Sequence, residues 1–237
     1  MHGEGSAQRF QAFVARKVGG CVFTAKVERQ LGFGWIAAIF AAVMIQTRPL
    51  ILASKSPRRS QLLREAGFEF SVQTFDVDES FPPDMPPEEV APWLAQRKAR
   101  AAAHLIQEQE IILAADSVVI LDGVIYNKPE DYEEAFRMIR RLSGRQHTVV
   151  TGVCLLAREE ERCMAGTSRV WFEQLSDAEI DYYIRSCQPF DKAGAYGAQD
   201  WIGHCKISRI EGTFQNVMGL PVHLVYAALQ EMMSAAG

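Results

Sequence analysis

Seven side chains in this sequence have types and settings suited to a polyanionic ligand: Arg58, Arg59, Lys98 and Lys128, and against them Asp78, Glu79 and Asp116. Arginine forks chelate phosphate oxygens and lysines act as point charges. Carboxylates sharing a site with them would hold a divalent cation of the oxygen-seeking, magnesium type. One carboxylate could also orient and deprotonate a water. Together they point to metal-assisted attack on a phosphoryl centre.

Such chemistry needs a frame. Residues 50–53 read as a short buried strand running straight into a helix, with Ser56 as its N-cap, Pro57 at the first helical position and Gly67 closing it in a left-handed conformation. Arg58 and Arg59 then stand in the first turn, where cations oppose the helix dipole. Two guanidinium forks beside free backbone N–H groups make an anion site, although two solvated arginines on a surface helix would look the same. Residues 88–107 read as a helix bent at Pro92, carrying Lys98 at mid-length; alone, that lysine is as well explained as a solvated one. Asp116 falls between the apolar runs 111–115 and 118–121, where a carboxylate is expensive unless paired, hydrogen-bonded or metal-bound.

The remaining elements follow from turn chemistry. Asp122-Gly123 signals a two-residue hairpin leading to 124–126. A helix over 131–142 stops at Ser143-Gly144, strands cover 146–157 and 168–172, and Ser176-Asp-Ala-Glu179 is a capping box opening a helix to Cys187. The glycines of 191–200 suggest close backbone approach to a ligand or another strand. Residues 201–210 read as a strand, and Pro221 starts a last helix.

A chain of 237 residues buries a substantial core, and its formal charge of −4 argues against a nucleic-acid-coating role. The five cysteines lack any C-x-x-C spacing, which fits a reducing compartment and gives neither a zinc signature nor a nucleophile context. The P-loop, dinucleotide-binding and G-x-S-x-G patterns are absent. Residues 1–43 differ from the rest: they carry a net +3, which leaves −7 for the remainder. Residues 31–45 form an apolar run too short for a bilayer span, which needs about 20 residues. This extension reads as sequence upstream of a true start at Met44, with a targeting or anchoring segment as the alternative; the working domain is 44–237.

The ordered motifs resemble the Maf-type nucleoside triphosphate pyrophosphatases over about residues 50–229. They begin with Leu52-Ala-Ser-Lys-Ser-Pro-Arg-Arg59 and Leu62-Leu63, then Gln96-Arg-Lys-Ala99, Ala114-Ala-Asp-Ser-Val-Val119 and Lys128-Pro129. Leu142-Ser-Gly-Arg-Gln-His147, Thr151-Gly152, Asp191-Lys-Ala-Gly-Ala-Tyr-Gly-Ala-Gln199 and Asn216-Val-Met-Gly-Leu-Pro221 complete the set. The resemblance implies a two-lobed α/β fold, a mixed sheet with flanking helices and a central cleft like that of inosine triphosphate pyrophosphatases. It implies hydrolysis of a nucleoside triphosphate to the monophosphate and pyrophosphate, dependent on magnesium, manganese or cobalt.

Carried over by position, Asp116 would be the proton acceptor, Ser56, Arg58, Arg59, Lys98 and Lys128 would bind phosphates, and Glu79 would assist. Glu79 and Asp116 would hold the metal, and Arg58, Ser117 and Gln199 fall at positions of base selection. The Ala-Tyr-Gly-x-Gln form of the late motif resembles the branch acting on dTTP and UTP. Ser117 stands where that branch usually has threonine, and keeps the hydroxyl. Alternatives are a pyrophosphatase of 7-methyl-GTP or another purine triphosphate, and a nucleotide-binding regulator of septum formation. A cytoplasmic location is expected, with no nucleic-acid or membrane partner and with room for a homodimer.

Overall fold

The computed structural model describes residues 14–18, 21–25 and 46–234. The chain divides into two units, Met1–Ile45 with Ala236–Gly237, and Gln46–Ala235. In the first, β1 (Val14–Val18) pairs antiparallel with β2 (Cys21–Ala25). The apolar run over 31–45 and the start at Met44 lie outside the described residues. No helix among the described residues is long and apolar enough to cross a membrane.

The second unit is a seven-stranded mixed sheet in the order β4-β3-β5-β7-β8-β9, with β6 paired to β5. Its strands are β3 (Leu50–Ala53), β4 (Phe70–Gln73), β5 (Ile111–Leu121), β6 (Val124–Tyr126), β7 (Gln146–Leu156), β8 (Glu161–Phe172) and β9 (Ile207–Glu211). Helices α1 (Pro57–Glu65) and α2 (Pro87–Ala101) carry the chain over the parallel β3, β4 and β5. The others are α3 (Tyr132–Leu142), α4 (Asp177–Cys187), α5 (Trp201–Lys206), α6 (Phe214–Met218) and α7 (Val222–Ser234). β3 is buried at all four positions, as a run covered on both faces should be.

Several hydrophobic clusters lie on this sheet, a smaller one joining Val90 and Leu94 of α2 to Val118, Ile120 and Val150. Another packs Ala95, Ala99 and Ala102 of α2 and the turn after it on Ile51, Ile112 and Ala114. A third gathers Val119, Leu121, Ile139, Leu142, Ile180 and Tyr183 around α3 and α4. The alanine stripe of α2 lets that helix approach the sheet closely, and Gly152 of β7 completes the fit: a Cβ there would lie 2.3 Å from the Pro92 nitrogen. Pro92 has no N–H to donate, so nothing is lost on its side of this contact.

The edge of β5 facing β3 explains the cleft. β3 pairs with Ile111 to Leu113, and β6 pairs with Val119 to Leu121. Residues between these two segments have no strand partner on that edge, and Asp116 and Ser117 are the two half-buried positions of an otherwise buried strand. The sheet changes neighbour where β3 ends, which is where open α/β sheets leave a crevice.

Several expectations are met. Asp122 and Gly123 take positive φ of 53° and 74°, as a type I′ hairpin requires, and Gly67 takes φ 82° after α1. Asp131 and Ser176 cap α3 and α4, the latter in a full capping box.

Others are corrected. The helix expected over 88–107 stops at Ala101 and is followed by a short 3-10 turn. The strand expected at 168–172 begins at Glu161, and its alternate residues become fully buried only from Gly166 onward. Residues 201–206 are helical, not extended: Ile202 turns into the core, and Gly203 packs where a Cβ would meet the Ala198 carbonyl oxygen at 1.8 Å. Cys154 and Cys163 face each other across β7 and β8 and are joined as a disulfide, a pairing of which their spacing gave no sign.

Candidate active site

A cleft of about 380 Å³ opens at the C-terminal end of β3. Ser56, Arg58, Arg59, Glu79, Lys98, Asp116, Ser117, Lys128 and Gln199 all line it. Asp78 does not: its carboxylate accepts from the Ser80 backbone N–H at 2.9 Å and hydroxyl at 2.6 Å, and lies 3.5 Å from Arg97. Its role is to close the turn of the acidic loop.

The expected N-cap is corrected too. Ser56 begins α1 without a side-chain hydrogen bond to the helix. Instead the Ser56 backbone N–H donates to the buried Ser54 hydroxyl at 3.2 Å. The start of α1 is therefore not closed by its own cap, and its N–H groups stay available to an anion in the cleft.

The two arginines of this turn are held differently. Arg58 reaches across the cleft, donating to the Asp191 carboxylate at 2.6 Å and to the Asp191 carbonyl at 3.4 Å. Arg59 is held by neutral acceptors only: the Gly219 carbonyl at 2.8 Å, the Ser54 hydroxyl at 3.1 Å and the Ser117 hydroxyl at 3.2 Å. Burial pushes the Arg59 pKa down, with the nearby Asp116 charge acting against it. A guanidinium has five N–H donors, so this geometry fixes Arg59 and leaves two for a ligand.

Lys98 stands at the centre of the charged cluster. Its ammonium donates to Asp116 Oδ1 at 2.5 Å and to Glu79 Oε1 at 2.6 Å. Lys128 lies 3.9 Å from Glu79 Oε2. Burial pushes the Glu79 carboxyl up, but the hydrogen bond from Lys98 and the charges of Lys98, Lys128 and Arg59 outweigh it and hold the pKa below the usual range. Two carboxylates of hard oxygen donors converging on one cation are a donor set that suits a magnesium-type ion completed by phosphate oxygens.

Further along β5 and β7 the lining turns apolar, with Val119, Val149, Tyr196, Val217 and Met218. Behind it His147 is buried, with Nε2 at 2.7 Å from the Tyr196 hydroxyl and edge-to-face contacts to Phe172 and Tyr196. Burial depresses the His147 pKa to about 3, so the ring is neutral. Gln199 donates its amide N–H to Asp200 Oδ1 at 3.0 Å, and its Oε1 is buried without a partner. A carboxylate only accepts, so the nitrogen must face Asp200 and the oxygen is left as a buried, unpartnered acceptor on a residue of the cleft lining.

Sequence reasoning missed Ser54, Thr151, Asp191 and Asn216, which hold the arginines directly or through Ser117. All four lie inside the quoted motifs without a role assigned there, and the pairing of Asp191 with Arg58 spans 133 residues, which no local pattern shows.

The chain matches the family model described as Maf-like protein over residues 49–232. Among curated relatives, a dTTP/UTP pyrophosphatase of Porphyromonas gingivalis is 49% identical over 185 residues, 77% of this chain and 93% of that one. Another of that name from Bacteroides thetaiotaomicron is 44% identical over 184 residues, covering 77% and 95%. A solved HAM1 protein from Coxiella burnetii is 12% identical with a TM-score of 0.47, covering 78% of this chain and 100% of that one. The span of the family match, and identities of this size over nearly the whole of those relatives, place the chain in the Maf-like protein family.

Proposed function

We propose that this chain is a nucleoside triphosphate pyrophosphatase acting on dTTP and UTP, releasing pyrophosphate and the nucleoside monophosphate. The observation that carries the reading is the convergence, in one cleft, of a strand-borne carboxylate at Asp116 with two arginines from an uncapped helix start. The relatives' printed activity supports the same reaction.

In this reading the triphosphate lies against the start of α1. Arg59 offers its two free N–H groups, and Arg58 exchanges the Asp191 carboxylate for a phosphate oxygen. Lys98 engages Asp116 Oδ1, which fixes the carboxylate and leaves Oδ2 to accept a proton. Water held there bonds through its oxygen to the α-phosphorus, its proton passes to Asp116, and the bond to the bridging oxygen breaks. Pyrophosphate then leaves with its charge compensated by the arginines and Lys128.

Glu79 and Asp116 would hold a magnesium, manganese or cobalt ion together with phosphate oxygens. Such an ion supplies charge neutralisation and acidifies a bound water.

Base selection follows from Gln199. Its buried, unpartnered oxygen accepts only; turned to the base at N3 it would suit thymine and uracil, whose N3 carries a hydrogen, over cytosine, whose N3 does not. The test is kcat/KM for pyrophosphate release across dTTP, UTP, dCTP, GTP and 7-methyl-GTP with each divalent ion. Highest values for dTTP and UTP are expected. Preference for a purine would overturn the substrate assignment, and nucleotide binding without pyrophosphate release would favour a regulator.

A further inference from the structure

Ser117 and Thr151 are direct cross-strand partners on β5 and β7, with hydroxyl oxygens 2.9 Å apart. The direction of that bond can be assigned. Thr151 is fully buried, and its hydroxyl lies 2.9 Å from the backbone carbonyl of Asn216. A carbonyl can only accept, so the single Thr151 proton points there, and Thr151 Oγ1 must accept from Ser117. The single Ser117 proton is thereby committed, and its oxygen is turned to accept from Arg59 Nη2 at 3.2 Å.

We infer that the Ser117 and Thr151 hydroxyls form a one-way chain, ending on the Asn216 carbonyl, that sets the orientation of the Arg59 guanidinium. On this account Ser117 and Thr151 are positioning residues for phosphate binding. The inference rests on the reading that Arg59 grips phosphate.

The far end of the chain is firmly anchored. The Asn216 side chain donates to the Val149 carbonyl at 3.2 Å and the Ser168 hydroxyl at 3.0 Å, tying the short helix α6 to β7 and β8. The same segment holds Arg59 a second time, through the Gly219 carbonyl. Gly219 takes φ +116°, and a Cβ there would lie 3.5 Å from Ser117 Oγ and 3.8 Å from Arg59 Nε, so the contact is close as well as direct. Arg59 is thus gripped from one loop by two routes, one of them through the two hydroxyls.

The experiment compares Ser117→Ala, Thr151→Val, the double variant, Ser117→Thr, Thr151→Ser and Arg59→Ala. For each, KM and kcat are measured with dTTP, UTP and GTP, together with Ki for inorganic tripolyphosphate, which has phosphates and no base. Ser117→Ala and Thr151→Val should each raise KM and the tripolyphosphate Ki roughly tenfold, as expected for loss of one hydrogen bond to a charged group. Near-constant kcat and an unchanged ratio of dTTP to GTP should accompany that rise. The double variant should be no worse than Ser117→Ala, because both break one chain. Ser117→Thr and Thr151→Ser keep the hydroxyls and should restore wild-type values. A changed dTTP to GTP ratio with an unchanged tripolyphosphate Ki in Ser117→Ala would overturn the inference, and that half-buried site tolerates the change even if Thr151→Val fails to fold. If Arg59→Ala loses tripolyphosphate binding while the hydroxyl variants keep it, only the inference falls. If Arg59→Ala keeps it, the phosphate role of Arg59 falls first.

Discussion

Beside Asp116 the cleft wall is a set of compensated charges, with Lys98 at 2.5 Å from Asp116 and 2.6 Å from Glu79. A few residues along the same two strands it becomes Val119 and Val149 in register, backed by a histidine that burial keeps neutral. The charged part exposes groups whose counter-charges a triphosphate and its metal can replace. The apolar part has almost no freedom to re-pair, and one fixed acceptor, Gln199 Oε1, is left to discriminate. Turnover should therefore respond to changes in the first part and selectivity to changes in the second.

The largest effect belongs to the charged part. Asp116→Asn keeps shape and a contact for Lys98 but loses the proton acceptor, so kcat for dTTP should fall by about a thousandfold, within the usual range for general-base catalysis. Circular dichroism should show an unchanged fold. Near-normal turnover would break the division at its strongest point. Arg58→Ala should act more mildly, raising KM about tenfold with kcat nearly kept, since a phosphate contact serves ground and transition states alike.

The apolar part should answer with ratios. Gln199→Ala is expected to reduce the preference of UTP over CTP about tenfold in kcat/KM while leaving tripolyphosphate inhibition unchanged. A parallel loss for tripolyphosphate would move Gln199 into the charged part. A separate effect, on stability rather than turnover, comes from the histidine behind the apolar part. Burial lowers the His147 pKa to about 3, so between that value and the ordinary 6.5 the unfolded chain binds one more proton than the folded one. Stability then falls as pH drops through this window, by about 1.4 kcal/mol per pH unit from this group. Urea titrations of wild type and His147→Gln should differ in slope by about one proton, the variant being flatter.

What could be read in advance was whatever rests on local chemistry. Asp122-Gly123 had to turn because both residues sit at positive φ, and Ser176 had to cap because Glu179 lies three residues on. Asp116 stood out because a carboxylate inside a β-strand needs a reason, and the reason is an unpaired stretch of sheet edge. Errors arose where tertiary packing overrides local pattern. Residues 201–206 read as the start of a strand yet coil, because Gly203 can press on the Ala198 carbonyl. Ser56 looked like a cap, but the neighbouring Ser54 is the buried hydroxyl that organises the turn, and Ser56 is left to the cleft. Apart from Ser54, the partners of Arg58 and Arg59 are Asp191, Ser117 and Gly219, at distances in sequence that no short motif spans.

The most direct measurement is hydrolysis of dTTP in water labelled with oxygen-18, followed by mass spectrometry of both products. If Asp116 directs water to the α-phosphorus, the label appears in dTMP and not in pyrophosphate. Label in pyrophosphate instead would place the attack at the β-phosphorus and contradict the proposed arrangement of the cleft.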